Sequence, residues 1–214
     1  INFFLAFLLL SASDWTNENN FGIIHFLNSS PLLSIIVGIL ILDLVGAYLP
    51  HLVQHKVKLL WYIHIVHHTD QKVDTTTANR HHPFESIIRF TFTLIGIFIS
   101  GAPIGLVLMY QSLSVILSQF NHANIQISEK VDKALSYIIV SPNMHKVHHH
   151  FELPYTDSNY GNIFSLWDRL FGTYMELSKN EIIYGIDTDV DEIQNSKFIS
   201  LIERPFKKWF NHFN

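Results

Sequence analysis

The chain has 214 residues, of which 48% are hydrophobic and only 15% are charged, and its mean hydropathy is +0.21. This composition is too apolar for an ordinary soluble domain, so a single-domain membrane protein is expected. The absence of cysteine excludes disulfides, iron–sulfur clusters and thiolate-ligated haem, and the net charge of −4 argues against nucleic acid as a partner.

The first thirty residues divide into an apolar run and a polar segment. Residues 1–12 are too short to cross a bilayer alone, so they are the end of either a membrane span or a signal segment. A truncated span is the preferred interpretation, because the chain opens inside the run without an initiator methionine. Residues 13–30 contain acidic side chains but no lysine or arginine, and they are predicted to form an outer loop.

The next apolar segment, residues 31–49, is long enough to cross a bilayer. Pro31 is a favourable first residue for a helix. Asp43 is the one charged side chain in the segment, and we assign it no role.

Five histidines then occur within eighteen helix-compatible residues, in the motifs HLVQH (His51, His55) and HIVHH (His64, His67, His68). Residues three and four apart share one face of a helix, so each motif presents its imidazoles together. The HxxHH spacing recurs far along the chain at His145, His148 and His149. Neutral imidazole is costly to bury without a partner, and nothing local supplies enough acceptors. We therefore interpret the three clusters as metal ligands rather than as packed core residues.

With His82 and His122 as further candidates, the imidazoles exceed the roughly four that one zinc ion needs, so two metal ions are predicted. Imidazole suits zinc, copper, iron and nickel alike, and the residues leave the metal open. The Glu-x-x-His and HExxH motifs of soluble di-iron bundles and zinc proteases are absent. No P-loop, GxSxG or GxGxxG motif supports nucleotide binding or serine hydrolysis.

Residues 86–120 are almost wholly apolar but are interrupted by Gly101-Ala102-Pro103. They are predicted to form a helical hairpin that enters the membrane, turns at this tripeptide and returns, which places residues 85 and 121 on the same side. All fourteen lysines and arginines lie at or after Lys56. The positive-inside rule therefore places the histidine clusters in the cytoplasm.

Two further segments are predicted to lie at the membrane surface. Residues 129–141 resemble an amphipathic or shallow helix, and residues 199–214 are interpreted as an interfacial C-terminal segment. The predicted fold class is all-α, an integral membrane helical bundle with a cytosolic histidine-rich cap. Its location is expected to be a bacterial inner membrane or the endoplasmic reticulum.

The motifs HLVQH, HIVHH, NRHHPFE, FNHAN and HKVHHH, followed by NYGNIFSLWDRLFGTY, resemble the fatty acid hydroxylase and sterol desaturase superfamily. The resemblance covers residues 40–176. It implies a helical membrane protein that holds two irons on histidines and uses O₂ to hydroxylate or desaturate a sterol, fatty acyl or sphingoid chain. The implied ligands are His51, His55, His64, His67, His68, His122, His145, His148 and His149, with His82 added as a tenth.

One position departs from that resemblance. Some members place a second histidine near the FNHAN motif, where this chain has Asn124. Asn124, a water molecule or His82 would then complete the ligand set.

Groups around the ligands are also predicted. Two ferrous ions on neutral imidazoles carry about four positive charges, which nearby carboxylates would offset while accepting the free ring N–H groups. Such acids could equally be solvated surface residues. The candidates lie beside the motifs: Asp70, Glu85, Asp157 and Asp168.

Other polar residues near the motifs are expected to pair with these acids or to shape the backbone around the site. Arg80 and Arg169 are expected to pair with the acids, and Asn159, Tyr160 and Gly161 to shape the turn that returns the chain to the metals. His81 and His150 are interpreted as outer or exposed neighbours, and His25 and His212 as structural residues.

No flavin, haem or pyridine-nucleotide motif is visible, so the electrons are expected from a separate reductase or cytochrome. Two other classes of function stay open. One is a membrane hydrolase with zinc in the histidine cage, and the other is a non-catalytic haem or metal carrier. The sequence determines neither the lipid nor the choice between hydroxylation and desaturation.

Overall fold

The computed structural model describes residues 2–28 and 30–213, whose regular structure is helical apart from two isolated β-bridges. The α-helices are α1 (Asn2–Glu18), α2 (Ile23–Leu27), α3 (Pro31–Lys56), α4 (Lys58–His68), α5 (Pro83–Ser100), α6 (Ile104–His122), α7 (Glu129–Leu135), α8 (Pro142–His148), α9 (Leu166–Leu170), α10 (Glu192–Ser196) and α11 (Phe198–Phe213). Three short 3-10 helices are Thr77–Asn79, Tyr155–Asp157 and Lys179–Glu181.

Three helices among the described residues, α3, α5 and α6, are long and apolar enough to cross a membrane. The helices α5 and α6 are the arms of the predicted hairpin, and Gly101 at the turn has a positive φ of 71°. The prediction of an all-α membrane protein is confirmed. The helix α3 continues beyond residue 49, the predicted end of its span, to Lys56.

The chain divides into two compact units. The first unit contains Ile1–Pro50 and Ile87–Ile116, and the second contains His51–Ser86 and Leu117–Asn214. The second unit therefore holds all three histidine motifs and both ends of the hairpin. Most residues of the two hairpin helices, α5 and α6, lie in the first unit.

In the first unit, the hairpin turn packs closely against the segment before α2. A Cβ atom on Gly22 would lie 2.3 Å from the backbone nitrogen of Gly101, so only glycine fits there. The His25 ring donates to the Gly101 carbonyl at 3.1 Å, and the Ser13 hydroxyl donates to the Ala102 carbonyl at 2.9 Å. These contacts hold the turn in place.

The prediction of a loop over residues 13–30 is wrong for part of that range. The helix α1 continues to Glu18, and α2 follows after a short turn. The hydroxyls of Ser13 and Thr16 are fully buried and donate to carbonyl oxygens. Because those bonds satisfy the two hydroxyls, these polar residues are accommodated within a helix.

The helix α3 contains a wide turn. Residues Leu44–Tyr48 form one π-helical turn, in which the Leu49 N–H donates to the Leu44 carbonyl. In a regular α-helix, the ring of Pro50 would clash with the carbonyl of Gly46, four residues earlier. The wider turn relieves this clash and allows the helix to continue toward HLVQH.

Candidate metal centre

The first two histidine motifs lie on different helices. The helix α3 ends at Lys56, Val57 adopts an extended conformation (φ −98°, ψ 106°), and α4 begins at Lys58. This break turns the two helices so that their histidines face each other. The ring centroids of His51 and His64 are 4.9 Å apart, as are those of His55 and His68.

The third motif is fixed by the start of α8. Pro142 is the first residue of the helix, and the Ser141 side chain caps it by accepting from the Met144 N–H at 3.3 Å. The buried Asp132 carboxylate accepts from the Ser141 hydroxyl at 2.8 Å and from the Asn143 N–H at 3.1 Å. These bonds orient the helix that carries the third motif. Sequence reasoning gave Asp132 no role.

Five histidines form the first group. Their ligand nitrogens all lie within 4.8 Å of one another. The Nε2 atom of each ring is buried and has no hydrogen-bond partner among the described residues. Five buried lone-pair nitrogens directed at one point match the donor set of a transition-metal site. The members are His51, His55, His64, His68 and His148.

The second group consists of His67, His122, His145 and His149. The Nε2 atom of His122 lies 3.2 Å from that of His67, 3.0 Å from that of His145 and 3.2 Å from that of His149. A neutral imidazole has one ring proton, so hydrogen bonds cannot satisfy four converging nitrogens together. Four lone pairs around a shared cation account for the arrangement, because metal–nitrogen distances of about 2.1 Å bring ligand nitrogens this close.

Hydrogen bonds at Nδ1, here called the outer nitrogen because Nε2 faces the group, explain the orientation of four of these rings. The Nδ1–H groups of His51, His148 and His122 donate to the backbone carbonyls of Tyr160 (2.8 Å), Ser158 (2.6 Å) and Ser118 (2.7 Å). The Nδ1–H of His64 donates to a Glu85 carboxylate oxygen at 3.1 Å. A proton on Nδ1 leaves the Nε2 lone pair facing inward, the tautomer that a metal ligand needs.

Burial also keeps the rings neutral. Desolvation, followed by repulsion from neighbouring imidazoles, holds the pKa of His67, His68, His145 and His149 well below the ordinary value. Burial lowers the pKa of His148 to about 3. At neutral pH these rings are therefore unprotonated and able to bind a cation.

A family model described as Fatty acid hydroxylase matches residues 35–173, a segment that includes every member of both groups. The chain belongs to the fatty acid hydroxylase family. This result confirms the resemblance seen in the motifs. The C-terminal residues from 174 onward, including α10 and α11, lie beyond the match.

Several curated relatives match the chain. Ornithine lipid hydroxylase OlsE from Rhizobium tropici is 25% identical over 65% of this chain and 41% of its own length. Alkylglycerol monooxygenase from Danio rerio is 30% identical over 66% of this chain and 30% of its own length, and the Homo sapiens protein is 24% identical over 78% and 34%. The chain thus spans less than half the length of these relatives. No solved structure matches it.

Among the acids predicted to surround the histidine groups, Glu85 contacts a member of a group directly. It is 1% exposed, and its two oxygens lie 3.1 Å from His64 Nδ1 and 3.0 Å from His81 Nδ1. Asp157 is more distant, since its carboxylate pairs with Lys56 and with the Tyr160 hydroxyl and lies 3.9 Å from His55 Nδ1.

Asp168 and Asn159 build the loop that supplies two of the carbonyls. The fully buried Asp168 carboxylate accepts from the N–H groups of Tyr160 (2.7 Å) and Gly161 (2.8 Å) and from the Thr173 hydroxyl (2.7 Å). Burial raises its pKa to about 6. A Cβ on Gly161 would lie 2.8 Å from the same carboxylate, which explains the glycine.

Asn159 adopts a positive φ of 51° within this loop. Its amide donates to the carbonyls of Met144 and Met175, both at 2.9 Å, and its side-chain oxygen accepts from the Met175 N–H at 2.9 Å. These bonds tie the loop to α8, so the Ser158 and Tyr160 carbonyls are held beside the first group.

Asp70 and Arg80 support the backbone instead. Arg80 donates to the Val66 carbonyl and to the Thr69 hydroxyl, both at 3.1 Å, at the C-terminal end of α4. A cation there satisfies helix carbonyls and complements the helix dipole. Asp70 accepts from the Lys72 N–H and the Thr77 hydroxyl in the following turn.

Two predicted residues lie elsewhere. His82 is absent from both groups, because its Nδ1 accepts from the Phe84 N–H at 3.2 Å and its Nε2 donates to the Ile202 carbonyl at 3.1 Å. Asn124 is exposed. The structure therefore places His82 outside both groups, and its assignment as a ligand stays a prediction.

The neighbouring His81 lies nearer to the groups. Its ring stacks on His67 with centroids 4.5 Å apart, and it pairs with Glu85.

Proposed function

We propose that the protein is an O₂-dependent membrane oxygenase that inserts one oxygen atom into a C–H bond of a lipid, using two irons held by the two histidine groups. The observation that carries this proposal is the convergence of nine imidazoles, seven of them in buried residues, into a group of five and a group of four. The names of the relatives, a lipid hydroxylase and alkylglycerol monooxygenases, support the reaction class and favour hydroxylation over desaturation.

The donor set fits a pair of redox-active transition metals. Every donor is a neutral nitrogen, which suits iron but also zinc, copper and nickel. When bound, two irons supply the electron transfer that activates O₂ toward an unactivated C–H bond, which redox-inactive zinc cannot supply. The HIVHH motif contributes to both groups, because His64 and His68 belong to one and His67 to the other. Two neighbouring cations would therefore share one helix.

The reaction balances as R–H + O₂ + 2 electrons + 2 protons giving R–OH + H₂O. The two electrons must come from a separate one-electron donor, and we assign this role to a reductase or cytochrome. All lysines and arginines lie at or after Lys56, and this distribution supports a cytosolic location for the histidine groups. Such electron donors are available in the cytosol.

The chain's own residues hold and orient the ligands in this proposal. Four rings donate hydrogen bonds from their Nδ1–H groups, which keeps their Nε2 atoms directed inward. The acceptors are the backbone carbonyls of Ser118, Ser158 and Tyr160 and the Glu85 carboxylate. The Glu85 charge offsets part of the positive charge of the metals. The relatives are named as an ornithine lipid hydroxylase and an alkylglycerol monooxygenase, so we propose a lipid substrate.

The proposal is tested with protein purified from membranes without added metal. We expect two irons per chain and, with labelled ¹⁸O₂, a lipid product that carries one labelled oxygen atom. Incorporation of oxygen from labelled water alone, or zinc in place of iron, would overturn the proposal. The same experiment separates it from a zinc hydrolase, and a Soret band would instead indicate a haem carrier.

A further inference from the structure

The C-terminal helix α11 lies outside the segment that matches the family and is part of the second unit. Arg204 is buried and donates to Asp189 at 3.1 Å and to Asn195 at 2.7 Å. Lys208 pairs with Asp189 at 2.8 Å. This charged face of the helix is therefore directed toward the protein.

Two further bonds tie α11 to the region of the histidines. The Trp209 indole N–H donates to the Leu59 carbonyl in α4 at 2.9 Å, and His82 donates to the Ile202 carbonyl at 3.1 Å. The predicted ligand His82 thus acts as a connection between α11 and the segment before α5.

The opposite face of α11 is exposed and mainly apolar, with one acid, Glu203, which pairs with Lys207 at 2.6 Å. Ile199 is 70% exposed, Phe206 46%, Phe210 69% and Phe213 72%. Their spacings of seven, four and three residues place them on one side of the helix. Exposed apolar patches of this kind mark interaction sites with membranes or proteins. We call these four residues the apolar stripe.

The neighbourhood of the apolar stripe indicates its occupant. Phe84 is the second residue of the membrane-crossing helix α5, and its ring contacts Phe206 edge-on, with centroids 5.8 Å apart. It also stacks on Trp209, with centroids 6.4 Å apart and an interplanar angle of 15°. The stripe is therefore continuous with the first turn of a membrane span. Lys207, whose side chain is 67% exposed, flanks it.

We propose that α11 lies in the plane of the membrane interface, with the apolar stripe inserted among the lipids of the bilayer that α5 crosses. An amphipathic helix with aromatic residues on one face and lysine at its edge binds bilayers in this orientation. The hydrogen bond from Trp209 to Leu59 joins α11 to α4. The contact of α11 with the lipids would therefore set the depth of the histidine-bearing helix α4 relative to the membrane surface. The proposal does not depend on the reaction.

The absence of cysteine makes the depth of α11 directly measurable. Single variants Ile199→Cys and Phe213→Cys are spin-labelled in the full chain, reconstituted in nanodiscs of phosphatidylcholine and phosphatidylglycerol. We expect both labels to collide with O₂ more often than with a water-soluble nickel chelate. The matched control is Asn211→Cys, an exposed polar position on the same helix, whose label should show the reverse order.

Two results would overturn the proposal. Labels on the stripe that are as accessible to the nickel chelate as the Asn211→Cys label would place the stripe in water. Labels shielded from both reagents would show that protein covers it. Helical circular dichroism and metal content equal to those of the unsubstituted chain confirm that each labelled variant is folded, so neither result can be attributed to unfolding.

Discussion

The two histidine groups differ in how the fold holds their outer nitrogens. In the five-histidine group, three rings, His51, His64 and His148, each donate their Nδ1 proton to a fixed oxygen, whereas His68 Nδ1 has no hydrogen-bond partner among the described residues and His55 Nδ1 lies 3.9 Å from Asp157. In the four-histidine group, His122 donates to such an oxygen, whereas the Nδ1 atoms of the remaining three have no hydrogen-bond partner in the described part of the chain. These three are His67, His145 and His149.

The protein therefore orients three of the five rings in the first group but only one of the four in the second. Outer partners fix the tautomer and direction of a ligand ring before metal binds, which lowers the cost of binding. The five-histidine group is therefore expected to be the tighter site.

The largest expected effect comes from removing a ligand of the tighter group. His148→Ala should reduce lipid hydroxylation to background and lower iron from two per chain to one or none. The variant should still insert into membranes, because the spans α3, α5 and α6 do not contain residue 148. The matched control is the exposed histidine variant His212→Ala. Turnover that survives in His148→Ala would contradict the ligand assignment.

The second prediction concerns the relative iron affinities of the two histidine groups. Anaerobic Fe²⁺ titration of the metal-free protein should be biphasic, with the second iron bound at least about 10-fold more weakly, the scale of known effects of outer partners on metal affinity. His145→Ala should remove the weaker phase and leave the tighter one. Two equal affinities would show that the Nδ1 partners do not distinguish the groups.

The third prediction concerns Glu85. Glu85→Gln removes a buried charge and leaves one acceptor for the two rings that contact it, so the tighter phase should weaken about 10- to 100-fold. The weaker phase should change less. Glu192→Gln, which alters an exposed carboxylate, is the control. An effect confined to the weaker phase would reverse our assignment of Glu85 to the five-histidine group.

A smaller effect is expected from the loop behind that group. In Asp168→Asn, one side-chain oxygen replaces two, and an amide N–H is placed against backbone N–H donors. Leaving buried donors unsatisfied should lower the free energy of unfolding by about 1–3 kcal/mol, measured by thermal denaturation in detergent. The tighter iron phase should weaken as well, since the Ser158 and Tyr160 carbonyls are displaced. Asp187→Asn, at an exposed acid, should change neither.

The smallest effect on metal content is expected for His82. His82→Ala should retain both irons, because His82 lies in neither group, although the loss of its bonds to Ile202 and Phe84 should destabilise the protein. Metal analysis beside a denaturation curve checks both parts. Loss of one iron from a variant that remains folded would restore His82 as a ligand.

Much of the fold could be predicted, because spans and motifs are local patterns. The apolar segments and the Gly101 turn specified the hairpin, and the HxxHH spacing specified rings on one helical face. The end of α1 was missed, because the buried Ser13 hydroxyl finds its acceptor in the Ala102 carbonyl, which is distant in the sequence.

The surroundings of the site were harder to predict for a related reason. Three of the four rings whose Nδ1–H has a hydrogen-bond acceptor donate to backbone carbonyls. Any residue type supplies a carbonyl, so the sequence contains no trace of the Ser118 and Ser158 contacts. The choice between the adjacent His81 and His82 depends on how the chain enters α5. A pattern of residue types cannot resolve a difference of one position.

The sharing of HIVHH between the groups has a mechanical consequence. His67 and His68 are adjacent on α4 yet serve different groups, and their ring centroids are 5.4 Å apart. One turn of helix is a stiff spacer, because its backbone hydrogen bonds fix the separation of successive side chains. Any tilt or shift of α4 would therefore move ligands of both groups together.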